Sequence, residues 1–309
     1  MTVLVTGASG AIGSALSERL AAGGQASRLA SRNPAALRER FPGADVAELD
    51  VLRPETLAPA LDGVRAAYYL VHSMEPGAAG EFSERDAQGA HNFAVAAKAA
   101  GLGRVIYLGG PGDDTASLSE HLASRQRTGE ILAEDGPPLV ELRAAMVVGA
   151  RSASFQMLSD LVNRLPAMLV PRWVDTPSQP IAIDDVVAYL AASLETPLAE
   201  QRTIIEIGGA DVMTYRRMIE ILAERRGRRP LIVGVPLLTP WLSSLWCGLT
   251  TSVPAALARP LIEGMSAPLI IDASEARRRF PEIEPIGFRE ALARAEEDAG
   301  APAGRHSGP

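Results

Sequence analysis

The stretch Thr2-Val-Leu-Val-Thr-Gly-Ala-Ser-Gly-Ala-Ile-Gly13 decides the fold. Its first five residues form a β-branched and apolar run that is typical of a buried strand, and a helical pattern starts at residue 11 and stops at residue 22. Between the two, Gly7, Gly10 and Gly13 form a GxxGxxG loop. Glycine at these places permits a tight turn, a close approach of the backbone to a pyrophosphate, and close packing of the helix on the sheet. The stretch therefore predicts a dinucleotide-binding turn.

Strands and helices continue to alternate along the first half of the chain. Apolar runs predict strands at residues 46–49, 66–71, 105–108 and 139–142, and the clearest helices are predicted at 81–100 and 119–134. Residues 25–30 take the place of the second strand on topology, although Gln, Ser and Arg are weak strand formers. This order predicts the α/β fold class, with a doubly wound parallel sheet of the Rossmann type.

After residue 150 the predicted strands and helices become shorter. Residues 172–180 read as a loop, and short predicted strands at 181–183, 203–207 and 231–235 alternate with short helices at 184–194 and 214–226. We therefore predict a Rossmann dinucleotide-binding domain at 1–150 and a smaller α+β C-terminal lobe at 151–296, which forms a substrate lobe or lid interleaved with the Rossmann core. The tail at 297–309 is rich in Gly, Ala and Pro and is predicted to be disordered.

Residues 230–258 carry no charged side chain, which raises the question of a membrane span. Pro236, Pro240 and Pro254, together with Gly234 and Gly248, interrupt this segment, so that no run of about 20 apolar residues remains. We predict no transmembrane span. The preferred interpretation is an apolar lid or pocket wall, and a dimer contact or a peripheral membrane contact stays open.

Composition excludes several classes of function. The net charge of −7 and the absence of a long Lys/Arg run argue against a nucleic-acid partner. A single cysteine, Cys247, excludes an internal disulfide, and the four histidines show no metal-ligand spacing, so no metal site is expected. The amino terminus lacks the basic and apolar regions of a signal peptide, which predicts a cytoplasmic protein.

Several motifs resemble the atypical and extended short-chain dehydrogenase/reductases, and in particular the NmrA-like NAD(P)-binding proteins. They are the glycine loop at 6–13, Asp50-Val51 after the third strand and Leu139-Val-Glu-Leu-Arg143 at the sixth. The resemblance covers about residues 1–230 and includes shorter matches at 66–74, Asn92, 104–110, 180–187 and 206–209. It implies a nucleotide-binding fold with an NAD(P) cofactor.

The resemblance also implies which residues contact the cofactor. Asp50 and Val51 would contact the adenine. The pyrophosphate and the glycine turn would involve Gly7, Ser9, Gly10, Ala11, Ile12 and Gly13. Leu70, Val71 and His72 would lie at the ribose on the nicotinamide side, and Gly109 and Arg125 complete the predicted contacts.

The residues after the second strand predict which nucleotide binds. An acidic residue at this place would bind a ribose 2′-hydroxyl, whereas Ser31 and Arg32 offer a hydroxyl and a guanidinium that suit a 2′-phosphate. We therefore predict that NADP(H) is preferred over NAD(H). The alternative for Arg32 is an ordinary solvated loop arginine.

The chain departs from the resembled superfamily at the position of its proton donor. Most members carry Tyr-x-x-x-Lys on the helix after the fifth strand, whereas here His121 and Arg125 stand at that spacing. Residues at i and i+4 share a helix face. We predict that Arg125 holds the cofactor ribose and lowers the imidazolium pKa, while His121 donates a proton or hydrogen bond to the substrate. The alternative is a solvated helix pair without a role in catalysis.

Further residues are predicted to line a substrate pocket. The fifth strand is followed by Gly109-Gly-Pro-Gly112 instead of the usual serine, so that only backbone N–H groups or an incoming side chain would meet an oxyanion there. Substrate contacts are predicted for Ser73, Gly110, Met146 and Phe155, and Met146 also packs on the nicotinamide side. His72 and Ser73 are polar candidates at the carboxyl end of the fourth strand, where capping of the strand is the alternative.

The sequence thus favours an NADPH-dependent oxidoreductase that transfers hydride to an apolar small molecule. Conjugated carbonyls, enones and quinones are the expected acceptors, because their reduced anion is delocalised and tolerates a missing tyrosine. The alternative is a non-catalytic NAD(P)-sensing regulatory protein of NmrA type. A small apolar substrate is the expected partner, and a homodimer is left open.

Overall fold

The structure of the protein is a computed structural model, and it describes residues 1–72, 81–112, 119–198, 200–235, 262–265 and 267–300. The chain divides into two units that each comprise several segments. The first unit contains Met1–Ala144, Val186–Ile207 and Asp272–Ile283, and the second contains Ala145–Asp185, Gly208–Ile271 and Glu284–Pro309.

The described residues contain thirteen strands and ten α-helices, which we number in chain order. The strands are β1 (Thr2–Val5), β2 (Ser27–Ser31), β3 (Asp45–Glu48), β4 (Val64–Tyr69), β5 (Arg104–Gly109), β6 (Leu139–Ala144), β7 (Val147–Val148), β8 (Ala167–Val170), β9 (Pro177–Ser178), β10 (Ile181–Ala182), β11 (Arg202–Ile207), β12 (Met213–Thr214) and β13 (Leu231–Gly234). The helices are α1 (Ala11–Ala22), α2 (Pro34–Arg40), α3 (Leu57–Leu61), α4 (Glu81–Ala99), α5 (Glu120–Asp135), α6 (Ala153–Arg164), α7 (Ile183–Ala192), α8 (Tyr215–Arg225), α9 (Ser274–Arg279) and α10 (Phe288–Gly300).

The first unit is built on one parallel sheet of seven strands, in the order β11-β6-β5-β4-β1-β2-β3. The chain proceeds from β1 toward β3 on one side and from β4 toward β11 on the other, so the strand order reverses between β1 and β4. Ligands of such sheets bind beyond the carboxyl ends of the strands at this reversal. The predicted fold class, a doubly wound Rossmann sheet, is confirmed.

Thr6 ties the two central strands together at the reversal point. Its backbone N–H and its hydroxyl both donate to the carbonyl of Tyr68, at 3.0 and 2.9 Å. The same hydroxyl oxygen accepts the N–H of Leu70 at 3.0 Å. The glycine loop after β1 and the segment after β4 therefore leave the sheet from a common, hydrogen-bonded edge.

The predicted helices and strands of this unit form close to their predicted bounds. Helix α1 starts and ends at the predicted residues, and α5 begins at the side-chain cap of Ser119, whose hydroxyl accepts the N–H of Leu122. Strand β2 forms in spite of its weak propensity. It is paired on both sides, and Leu29 and Ala30 are fully buried, so tertiary pairing outweighs local preference.

The second unit carries its own apolar core. Helices α6, α8 and α10 contribute to it, and its strands form three pairs, β7 with β10, β8 with β13 and β9 with β12. Strand β11 and helix α9, which the sequence assigned to the smaller lobe, belong to the first unit, because β11 pairs in parallel with β6. The segment 172–180, predicted to be a loop, contains a 3₁₀ turn at Arg172–Asp175 and strand β9.

The last described helix, which the sequence analysis did not predict, enters the segment that was predicted to be disordered. Helix α10 runs to Gly300, four residues into the segment 297–309 that we predicted to be disordered, because Phe288, Leu292 and Ala295 bury one face of the helix. Residues 301–309 lie outside the described part of the chain.

No helix in the described ranges is long and apolar enough to cross a membrane. Of the apolar segment 230–258, only residues 230–235 fall within those ranges, and the predicted lid or pocket wall therefore lies almost wholly outside them.

Candidate functional site

The glycine loop has the shape that a dinucleotide pyrophosphate requires. Gly7 adopts a positive φ of 63°, and a Cβ atom there would lie 2.5 Å from the carbonyl oxygen of Leu70. A Cβ atom on Gly13 would lie 2.3 Å from the carbonyl oxygen of Gly7. Both positions therefore exclude any side chain, and the loop can bring its backbone close to a ligand.

The first turn of α1 presents backbone donors without a side-chain cap. Gly10 is the N-cap residue and makes no side-chain hydrogen bond, and the hydroxyl of Ser14 donates to the carbonyls of Ala8 and Gly10. Ser9 and Gly10 are exposed. An uncapped helix amino terminus attracts anions through its N–H groups and its dipole. Gly7, Ser9, Gly10, Ala11, Ile12 and Gly13 thus form one turn that fits a pyrophosphate.

The predicted adenine contacts lie on a braced loop after β3. One carboxylate oxygen of Asp50 accepts the N–H of Leu52 at 3.0 Å. The Asn92 side chain on α4 donates to the carbonyl of Val51 at 2.8 Å, and Gly89 leaves room for the Val51 side chain, since a Cβ there would lie 2.6 Å from it. Helix α4 therefore fixes this loop against the sheet.

The predicted 2′-phosphate contacts differ in exposure. Ser31 is 9% exposed, and its hydroxyl accepts the N–H of Asn33 at 3.1 Å, which leaves the hydroxyl hydrogen for a ligand. Arg32 is exposed. The Asn33 side chain in turn caps α2. Ser31 and Arg32 thus lie at the carboxyl end of β2, as the topology predicts.

His72, Asp86 and His121 come together from three separate parts of the first unit. His72 follows β4, Asp86 lies on α4, and His121 lies in the first turn of α5. The Nδ1 atom of His72 is 2.8 Å from Oδ2 of Asp86, and its Nε2 atom is 3.3 Å from Nδ1 of His121. The His72 and Asp86 side chains are only 14% and 6% exposed. The three groups form a continuous hydrogen-bonded chain that ends at His121.

Both imidazoles of this chain resist protonation. Burial, the neighbouring His72 and the Arg125 guanidinium lower the pKa of His121 to about 3. Burial also lowers the pKa of His72, although the hydrogen bond to Asp86 opposes this effect. At neutral pH both rings therefore carry no charge. The proton that remains on the neutral His121 ring is held tightly, so this ring is a poor proton donor.

Arg125 lies on the predicted face of α5 but is used within the protein. Its guanidinium donates to the carbonyl of Leu108 and stacks 5.2 Å from the ring centre of Tyr107. The Tyr107 hydroxyl donates to the Arg125 carbonyl at 3.0 Å. Arg125 lowers the pKa of His121 as predicted, and its contact with a cofactor ribose stays a prediction.

The glycine turn after β5 is held by a buried ion-pair network that the sequence did not indicate. Glu141 is fully buried and bonded to Arg143 and Arg202, at 2.8 Å in each case. Arg143 also donates to the carbonyl of Gly112 at 3.1 Å. Gly109 packs directly against Glu141, since a Cβ there would lie 3.2 Å from its carboxylate. These contacts hold the backbone between Gly109 and Gly112 against the sheet.

The remaining predicted contact residues are largely buried, already in contact with other side chains, or outside the described residues. Met146 and Phe155 are 6% and 3% exposed and belong to the apolar core of the second unit, so their substrate contacts stay a prediction. Gly110 is partly exposed and packs on Leu122. Ser73 lies outside the described residues. Both ring nitrogens of His72 face Asp86 and His121, which leaves its backbone for the predicted ribose contact.

The described ranges contain no group of three or more His, Cys, Asp or Glu side chains that would hold a metal ion. Asp86 was missed by the sequence reasoning, although a pattern marks it. It shares the buried face of α4 with Ala90, Phe93 and Ala97, where an acidic side chain is out of place.

Comparison with known proteins gives a family match over the glycine loop and the strands and helices that follow it. Residues 7–137 match the model of an NAD(P)H-binding family. Comparison with curated protein sequences gives no match.

Solved structures with the same fold cover almost the whole chain. The protein gox2253 is 23% identical over 96% of this chain and 97% of its own, with a TM-score of 0.74. A nucleoside-diphosphate-sugar epimerase from Staphylococcus aureus is 18% identical over 94% and 99%, with a TM-score of 0.76. The enzyme WbmG of Bordetella bronchiseptica, in complex with NAD and UDP, is 18% identical over 96% and 93%, with a TM-score of 0.70.

These findings define a Rossmann-fold protein with an NAD(P)H-binding domain. The NAD(P)H-binding match over residues 7–137 and the shared fold agree with the resemblance drawn from the sequence motifs.

Proposed function

We propose that the protein is an NADPH-dependent oxidoreductase that transfers hydride to an apolar conjugated carbonyl, enone or quinone. The observation that carries the proposal is the placement of His121. It stands where the tyrosine of related reductases would stand, and it ends a hydrogen-bonded chain within the unit that bears the glycine loop. The bound nucleotide would supply the hydride, and His121 would supply the proton or hydrogen bond.

The weak acidity of His121 favours acceptors whose anion is delocalised. Reduction of an isolated ketone needs a strong donor at the developing oxyanion, whereas the hydroquinone or enolate anion is stabilised within the substrate. The low pKa of His121, about 3, means that a neutral imidazole faces the substrate at pH 7. The turn Gly109-Gly110-Pro111-Gly112 itself offers an oxyanion backbone N–H groups in place of the usual serine, unless a side chain from elsewhere enters the site.

The cofactor site is tested with a matched pair of glycine variants, one in the first turn of α1 and one directly after its last residue. In Gly13→Ala the new Cβ would lie 2.3 Å from the carbonyl oxygen of Gly7, whereas in Gly23→Ala its nearest neighbour is 3.5 Å away. We expect Gly13→Ala to lose NADPH binding in a fluorescence titration and Gly23→Ala to retain it. Equal affinity of both variants would exclude the loop as the pyrophosphate site.

The nucleotide preference rests on Ser31 and Arg32. A charged hydrogen bond to a 2′-phosphate contributes about 1.5–3 kcal/mol, so we expect Arg32→Ala to weaken NADPH binding by roughly 10- to 100-fold and to leave NADH binding unchanged. The measurement is the dissociation constant of each nucleotide for both proteins. Tighter binding of NADH than of NADPH by the unmodified chain would overturn the assignment.

The activity is tested by NADPH oxidation against quinones, enones and aromatic ketones, with NADPH binding titrated in the same samples. UDP-glucose is included because several proteins of this fold act on sugar nucleotides. Oxidation with a quinone or enone supports the proposal. Turnover only with the sugar nucleotide contradicts the substrate class, and tight NADPH binding without any oxidation identifies a sensor of NmrA type.

A further inference from the structure

Asp86 and His72 have no assigned part in the proposed reaction, yet they contact each other and His121 in line. We infer that Asp86 is a positioning residue that acts through His72: it fixes the tautomer of His121 and makes the two imidazoles a proton relay with His121 as its outer end. The proposal rests on the proposed function for its link to turnover. The arrangement of protons within the relay is independent of any substrate.

The Asp86 carboxylate determines which nitrogen of His72 carries the proton. An ionised carboxylate only accepts hydrogen bonds, and the Oδ2 atom of Asp86 is approached both by Nδ1 of His72 at 2.8 Å and by the Ser124 hydroxyl at 3.4 Å. Two donors directed at one oxygen require that this oxygen be the acceptor. His72 therefore carries its proton on Nδ1.

The second step follows from the neutral ring of His72. A neutral imidazole has one N–H and one lone pair, so the Nε2 atom of His72 is an acceptor. It lies 3.3 Å from Nδ1 of His121, and the two ring centres are 5.0 Å apart. The proton in that contact must come from His121. His121 consequently carries Nδ1–H and presents an unprotonated Nε2 atom at the end of the chain.

The third step is the movement of one proton. When His121 Nε2 takes a proton from a substrate hydroxyl, its Nδ1 proton can pass to His72 Nε2. His72 is then an imidazolium bonded to the Asp86 carboxylate, and His121 is neutral again with its proton on Nε2. In the direction of reduction, solvent first adds one proton to the pair, which makes His72 an imidazolium and leaves the His121 proton on Nε2. The substrate oxygen then takes that Nε2 proton while the Nε2 proton of His72 returns to His121 Nδ1, which restores the two neutral rings.

The charges around the relay explain why the proton is stored at His72. Arg125 on α5 faces both rings and disfavours a positive charge on either of them, while His72, unlike His121, is bonded to a carboxylate within the part of the chain that the structure describes. Within the described ranges, Tyr69 on β4 and Tyr107 on β5 are further titratable groups facing Asp86 and Arg125, and burial raises the pKa of both. They stay neutral, so Asp86 supplies the negative charge.

The test reads the protons directly by NMR of the full chain labelled with ¹⁵N-histidine. The chain has four histidines, and His91→Asn, His121→Gln and His306→Asn assign three signals by their loss, so that the remaining signal belongs to His72. We expect His72 and His121 both to be protonated on Nδ1 and bare on Nε2 at pH 7.5. A His121 ring protonated on Nε2 and bare on Nδ1 in the unmodified protein would overturn the proposal, whatever the activity.

The variant Asp86→Asn separates a relay from a structural contact. It removes the charge, so we expect His72 to lose its fixed tautomer and the midpoint of the pH profile of NADPH oxidation to move to lower pH. We expect kcat to fall by roughly 10- to 100-fold, the loss typical when the partner of a functional imidazole is removed, with KM and NADPH affinity retained.

Ser124→Ala is the matched control, because Ser124 contacts the same carboxylate oxygen outside the line of the two imidazoles. We expect wild-type tautomers and an unchanged pH midpoint. If Asp86→Asn leaves both tautomers and the pH midpoint as in the wild type, Asp86 does not control the relay. If the tautomers change but no tested substrate is turned over, the relay stands and the proposed function fails.

Discussion

Helix α4 takes part in two histidine–carboxylate pairs of nearly equal length and opposite surroundings. Asp86 is 2.8 Å from His72, with both side chains largely buried, while His91 is 2.7 Å from Asp135, with exposures of 52% and 38%. Distance alone does not distinguish the two pairs. The inner pair continues to a second imidazole and is shielded from water, whereas the outer pair is screened by solvent and is expected to contribute little. Burial and connection therefore decide which pair can move a proton to a substrate.

The largest difference between the pairs should appear in turnover. His121→Ala removes the outer end of the inner chain, and we expect kcat for NADPH oxidation to fall by roughly 10²–10⁴-fold, the range typical of a general acid or base, with unchanged NADPH affinity. His91→Ala, in the outer pair, should leave kcat within about twofold. A His121→Ala protein with the wild-type rate would remove this histidine from the mechanism.

The second-largest difference between the two pairs is expected in the free energy of unfolding. Asp86→Ala leaves the Nδ1–H group of His72 buried without its acceptor, and such a group costs about 1–3 kcal/mol of unfolding free energy. The measurement is urea unfolding followed by circular dichroism. If Asp86→Ala lowers the free energy of unfolding by less than about 0.5 kcal/mol, water reaches the Nδ1–H group of His72. The inner pair would then not differ from the outer pair in its shielding from water.

The dependence of stability on pH gives a finer comparison. The pKa of His121 is lowered to about 3 from 6.5, so between these values the unfolded chain binds more protons than the folded one. The neutral His121 ring therefore contributes to the free energy of unfolding. This contribution is fully present above about pH 6.5 and is lost as the pH falls toward 3, by roughly 1.4 kcal/mol per pH unit for one proton. Unfolding free energies at pH 7, 6 and 5 should fall less steeply for His121→Gln than for Ser124→Ala, which removes no titrating group. Parallel slopes would contradict the lowered pKa.

The smallest effect is expected at the outer pair itself. Asp135→Asn removes an exposed charge, and exposed pairs of this kind contribute about 0–1 kcal/mol. We expect its unfolding free energy to stay within about 0.5 kcal/mol of the wild type and to be insensitive to salt. A loss as large as that of Asp86→Ala would show that the two pairs are not different in kind.

Local patterns predicted the parts of the molecule that local physics determines. The glycine loop, α1, α4 and α5 all lie within one residue of their predicted bounds, because apolar spacing and capping are properties of adjacent residues. His121 was found because it stands at a spacing where related proteins carry another donor. Asp86 and Glu141 were missed, since His72 lies 14 residues from Asp86 and Arg202 lies 61 residues from Glu141, and such pairings exist only in the folded chain. The same holds for β11, which joins the main sheet from the distant half of the chain.

Gly129 on α5 has a consequence for how this protein can evolve. Glycine inside a helix costs about 1 kcal/mol relative to alanine, but a Cβ at this position would lie 2.4 Å from the carboxylate of Glu141, and one on Gly109 would lie 3.2 Å from it. The two glycines and the acid are therefore expected to vary together among descendants of this sequence. A lineage that replaces Glu141 with a small apolar residue removes this carboxylate from both glycines, and it leaves Arg143 and Arg202 without their shared partner, so these arginines are expected to change with it.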